Sequence, residues 1–81
     1  MCRVSSRRMD ATAAQIAITA CLRQIRDHLA QASATSEAAL ICAAKGSFAK
    51  AMEIALDIEQ PVYDATHLLD AASLLTRLSG E

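Results

Sequence analysis

Apolar residues recur at alternating intervals of three and four along most of this chain, and little besides an α-helix accommodates that spacing. One run passes through Ala11, Ala14, Ile18, Cys21, Leu22, Ile25, Leu29 and Ala32. A second passes through Leu40, Ala44, Ser47, Ala51, Ile54 and Ile58, and it continues in phase through Pro61, Ala65, Leu68, Ala72 and Leu75. No alternating β-branched run bounded by turn residues competes with this reading. The only helix breakers are Pro61, Gly46 and Gly80. An all-α fold follows.

The breakers and caps set the expected boundaries. Asp10 is a suitable N-cap, and Ser33-Ala34-Thr35-Ser36 reads as a loop in which Thr35 or Ser36 caps the next helix. Proline favours the first position of a helix and pushes the preceding residue, Gln60, out of helical geometry. The pattern therefore predicts a small three-helix bundle with helices near 10–32, 36–59 and 61–78, the last closed by Gly80. Residues 1–9 are expected to form a flexible basic tail, and residues 10–81 one domain. Because the spacing carries across Pro61, one long kinked helix folded as a hairpin is the alternative.

Gly46 is the second place where the chain could turn. Residues 45–54, Lys-Gly-Ser-Phe-Ala-Lys-Ala-Met-Glu-Ile, resemble the inter-helix turn of a tetratricopeptide repeat, in which Gly, an aromatic and Ala pack two short helices. The resemblance covers under a third of the chain, and the large apolar residues expected before Gly46 are not in place. A DNA-reading helix-turn-helix can be threaded through Gly46 too, but Lys45 and Ser47 then fall where that motif needs apolar residues. The apolar face passes Gly46 without a change of phase, so the expectation is an uninterrupted helix that tolerates the glycine at a cost of about 1 kcal/mol.

Much of the apolar content is alanine, and the aromatics are only Phe48 and Tyr63. Such a core buries little area per residue, at roughly 25 cal/mol per Å². The last helix, however, carries two stripes. One is Ala65, Leu68, Leu69, Ala72 and Leu75, suited to packing on the chain's own helices. The other is Tyr63, His67, Ala71, Leu74 and Leu78. A helix apolar on two sides asks for burial on two sides. The second stripe is thus the expected partner-binding surface, and association through it into a homodimer, or with a helical protein partner, is the expected arrangement.

Charge and cysteine content narrow the function. The net charge of −1 argues against general affinity for nucleic acid. It is unevenly spread. Residues 1–26 hold Arg3, Arg7, Arg8, Arg23 and Arg26 against Asp10, for +4, whereas residues 27–81 hold Lys45, Lys50 and Arg77 against eight acids, for −5. Antiparallel packing within the chain or between two copies suits that asymmetry. Cys2, Cys21 and Cys42 form an odd set without metal-ligand spacing, which fits a reducing cytoplasm. No apolar stretch approaches the length of a membrane span, and the first residues lack the apolar region of a secretory signal.

No enzyme chemistry emerges. Asp64, His67 and Asp70 lie one helical turn apart, but a metal site in a bundle draws ligands from several helices. Arg26-Asp27-His28-Leu29 is faintly similar to the acid-flanked histidine of a kinase dimerisation hairpin, without the residues that usually follow it. There is no Gly-rich phosphate loop, no nucleophile–base pairing, and no cofactor or small-molecule motif. The reading is a non-enzymatic interaction or regulatory module. A small DNA-binding regulator, or a phosphotransfer or metal-binding helical domain, stands as the alternative.

Overall fold

A computed structural model of the chain describes residues 10–79. They form an all-α hairpin, elongated to 67 × 15 × 14 Å, with no strand among the described residues. Helix α1 spans Ala11–Ala44, α2 spans Phe48–Ala55, a 3-10 turn spans Leu56–Ile58, and α3 spans Glu59–Leu78. The last three follow one another as a second arm, and α1 packs along both α2 and α3.

Helix α1 starts where its cap predicts. The Asp10 carboxylate accepts the N–H of Ala13 at 3.2 Å. The expected loop at 33–36 does not form, and α1 runs straight through it. Two local facts explain this. The Ser36 hydroxyl donates to the carbonyl of Ser33 at 2.8 Å, so its polar group is satisfied inside the helix rather than by a cap. The inward-facing series also continues without a gap through His28, Ala32, Thr35, Ala39 and Cys42, all buried or half-buried.

The reversal occurs instead at Gly46, so the expected uninterrupted helix over 36–59 is corrected. Gly46 adopts φ 85°, a left-handed conformation that costs other residues roughly 1–2 kcal/mol. The Gly46 N–H donates to the Ala43 carbonyl and the Ser47 N–H to the Cys42 carbonyl, both at 2.9 Å. This nested pair of bonds closes the end of α1 and turns the chain within three residues. Leu40, expected on the inward face of the second helix, is consequently left exposed, as is Phe48. A Cβ at Gly46 would meet nothing within 4 Å, so backbone strain alone sets the penalty. Gly46→Ala is expected to destabilise the hairpin by about 1 kcal/mol, measured by urea unfolding; unchanged stability would remove the left-handed turn from the account.

Pro61 does not start a helix, and Gln60 before it remains helical. The arm continues through it as helix. A proline ring crowds the carbonyl four residues earlier, here that of Asp57, and cannot donate to it. Asp57 is the middle residue of the 3-10 turn, where the helix winds more tightly. The three expected helices are thus two arms joined by one reversal. The basic tail, and the closing role given to Gly80, lie outside the described residues.

The seam between the arms explains the elongated shape. From α1 it takes Ala14, Ile18, Cys21, Ile25, His28, Ala32, Thr35, Ala39 and Cys42; from the second arm it takes Ala51, Ile54, Ile58, Pro61, Ala65, Leu68, Ala72, Leu75 and Ser79. Both series step by alternating threes and fours, the 3.5-residue period of a coiled coil. The buried members are Ala14, Ala32, Ala39, Ala51, Ala65 and Ala72, with Pro61. Small side chains let the arms approach closely but remove little apolar area from water. Cys42 is half-buried in the seam beside the turn. Leu69, expected to face inward, is more than half exposed.

Candidate interaction surface

A two-armed coil has two edges, each built from both arms. The residues that immediately precede seam positions Ile25, Ala32, Ile58 and Ala65 are Gln24, Gln31, Asp57 and Asp64, and they make one edge polar. His28 Nδ1 lies 4.0 Å from Asp64 Oδ2 across the arms on that side. The two residues therefore stand at the same level of the two arms, near the middle of the hairpin. An open notch of about 520 Å³ lies along the same edge, lined by His28, Gln31 and Thr35 of α1 and by Asp57, Gln60 and Asp64 of the second arm. The Gln60 amide donates to Asp64 at 2.9 Å, so that carboxylate is engaged from two directions.

The residues that immediately follow seam positions Cys21, His28, Pro61 and Leu68 are Leu22, Leu29, Val62 and Leu69. In an antiparallel pair all four fall on the other edge, Leu22 level with Leu69 and Leu29 level with Val62. All four are exposed. Phe48, 67% exposed, extends the same line towards the turn. Sequence reasoning missed this edge because its residues sit one place off the seam. Leu22, Leu29 and Leu69 read as members of the inward face when each helix is considered alone.

The stripe singled out in the sequence lies wholly outside the seam. Tyr63, His67, Ala71, Leu74 and Leu78 are all exposed, with Leu74 at 48% and Leu78 at 44%. The Tyr63 and His67 rings meet edge to face, with centroids 4.2 Å apart, which organises one end of the stripe. Its neighbours Ala65, Leu68, Ala72 and Leu75 pack against α1. The two stripes of the last helix therefore face different surroundings, one the chain's own first helix and the other solvent.

The remaining candidates are dispersed. Asp64 turns towards His28, away from a set with His67 and Asp70, and no group of three or more metal-ligating side chains gathers among the described residues. The reversal at Gly46 supplies the turn that a DNA reader would use. Such readers cross their helices at about 90–120°, whereas these arms lie side by side within a 15 × 14 Å cross-section. Among the described residues no helix is long and apolar enough to cross a membrane. Comparison with protein-family models, with curated proteins and with solved structures found no match to this chain.

Proposed function

We propose that this chain is a non-enzymatic helical interaction module of the cytoplasm, a stiff hairpin that works by docking other helices along its length. The observation that carries the reading is the solvent-facing stripe Tyr63, His67, Ala71, Leu74 and Leu78 on an arm whose opposite side is already packed. Apolar surface of this extent, repeated at helical spacing on a rigid element, is the form in which one helix receives another. Tyr63 brings an apolar ring with a polar tip, and Leu74 and Leu78 bring area without charge. The occupant is a helix, from a partner protein or from a second copy. Cys21 and Cys42 as free thiols are consistent with a reducing compartment.

The test separates docking from folding. Leu74 and Leu78 are half exposed, so Leu74→Ala with Leu78→Ala is expected to cost well under the 2–5 kcal/mol of a buried leucine. Thermal unfolding followed by circular dichroism checks that the double variant remains folded. Used as bait in cell extract, the original chain is expected to retain a protein that the variant releases. Identical retention by both would sink the stripe as a docking face.

A further inference from the structure

The end of the hairpin around Gly46 differs in charge and apolar exposure from the rest of the rod, and we infer that it enters the surface of an anionic phospholipid bilayer end-on. Phe48, Met52, Leu40 and Ile41 then lie below the headgroups, and Lys45 and Lys50 lie against the phosphates. The contact is peripheral. It goes beyond the reading of the chain as a helix-docking module and uses none of the residues of the stripe.

Charge is the first support. Residues 38–52 hold Lys45 and Lys50 and no acid, so the tip carries +2 in a chain of net charge −1. The nearest acid on α1 is Glu37, about 12 Å from Lys45, and on α2 it is Glu53, about 8 Å from Phe48, at 1.5 Å per residue. That acid-free depth matches the roughly 5–10 Å to which amphipathic helices sink into the boundary between headgroups and acyl chains. Among the described residues Lys45 has no ionic partner within 4.0 Å, and Lys50 reaches only Glu53, at 3.4 Å with both side chains exposed. So exposed a pair holds its lysine weakly. A lysine stem lies along apolar surface while its ammonium reaches outward to a phosphate.

The placement of the apolar side chains favours a bilayer over a protein. Leu40 and Ile41 fall between seam positions Ala39 and Cys42, on the outer surface of α1. Met52 follows seam position Ala51 on the outer surface of the second arm, with Phe48 one turn before it. All four are more than half exposed. The two pairs belong to opposite arms, so a helix docked along either arm covers one pair and leaves the other in water. A surface entered end-on covers both. The acids set the direction of entry. Asp57, Glu59, Asp64 and Asp70 follow Glu53 along the second arm, and an anionic surface repels a rod laid flat along them.

Co-sedimentation of the purified full chain with vesicles of mixed phosphatidylcholine and phosphatidylserine reads the result. Binding is expected, and Lys45→Gln with Lys50→Gln is expected to weaken it about 25-fold, at about five-fold for each lysine near an anionic surface. Vesicles of phosphatidylcholine alone are expected to bind correspondingly less, as are mixed vesicles in about 1 M salt, where the Debye length is about 3 Å. Phe48→Glu on one arm and Ile41→Glu on the other are each expected to weaken binding at least about 10-fold. Both residues are exposed, and circular dichroism checks that the variants remain helical. The chain has no Trp, so Phe48→Trp supplies a single fluorescent reporter. Its emission is expected to shift to the blue when mixed vesicles are added, whereas that of Leu74→Trp, in the stripe, is expected to stay in place.

Absence of binding to mixed vesicles overturns the inference, as does binding that either Phe48→Glu or Ile41→Glu leaves unchanged, or a Phe48→Trp emission that does not move. Binding abolished by replacing Arg3, Arg7 and Arg8 with Gln, and by no change at the tip, belongs to the segment before Asp10 and overturns it too. No second protein enters these measurements. If vesicles bind as described but the stripe retains nothing from extract, the proposed function falls and the inference stands. If the stripe retains a protein and vesicles do not bind, the inference falls alone.

Discussion

Proline at Ala34 is expected to unfold this chain at or near room temperature. Ala34 lies in the interior of the 34-residue helix α1, ten residues before its end. A proline there removes the bond from residue 34 to the carbonyl of Ala30 and drives its ring into that carbonyl, at about 3 kcal/mol or more. The loss falls on a hairpin whose buried side chains are almost all alanine, so there is little stability to absorb it. A destabilisation of 3 kcal/mol corresponds to a fall in Tm of about 12–24 °C for a domain of this size. Thermal unfolding by circular dichroism reads it directly. Were residues 33–36 a loop, proline would be accommodated and Tm would move by only a few degrees. The same variant therefore decides between a continuous first arm and a three-helix bundle.

Enlarging the seam is the second large effect. Ala32 is buried and stands across from buried Pro61, where neither arm has a flexible side chain to move aside. Ala32→Leu forces the arms apart or the leucine into a strained rotamer, at about 1–3 kcal/mol. Ala30→Leu is the matched control. Ala30 lies on the exposed outer surface of α1, and leucine there forms helix almost as well as alanine. Chemical denaturation of the two variants is expected to show a clear drop in midpoint for position 32 and almost none for position 30. Equal midpoints would mean that the arms are not held in close contact through alanine.

The sequence carried the all-helical class, the start at Asp10 and the inward series of the second arm from Ala51 to Leu75, because each is a local rule. It also placed Ala65, Leu68, Ala72 and Leu75 on the packed side of the last helix, although Leu69, read with them, lies exposed at the edge. The reversals were misplaced for physical reasons that a list of breakers does not contain. Ser33, Thr35 and Ser36 look like a loop by composition, yet a hydroxyl that bonds back to a carbonyl leaves the helix intact. Alanine, threonine and histidine in the seam of α1 gave that helix a weak inward pattern, so its continuity past Ala32 was hidden. Gly46 reverses the chain in three residues and leaves no run of turn composition behind. Pro61 needed only a tighter turn of helix before it, a tertiary accommodation that favours the close seam. The Leu22–Leu69 edge became legible only once the partner arm of each residue was known.

The single reversal at Gly46 has a consequence for how this molecule comes apart. In a globular bundle every element touches several others, and loss of one contact is shared by the rest. Here each level of one arm meets only the facing level of the other, so the hairpin is close to a one-dimensional ladder. Cooperativity in such a ladder passes from rung to neighbouring rung, and the two arms are tethered at one end only. Opening therefore begins at the untethered end, around Ala14 and Ser79, and travels towards the glycine like a zip. The rungs nearest the turn are the last to part and the first to re-form, which makes the shortest segment of the chain the one that governs its persistence.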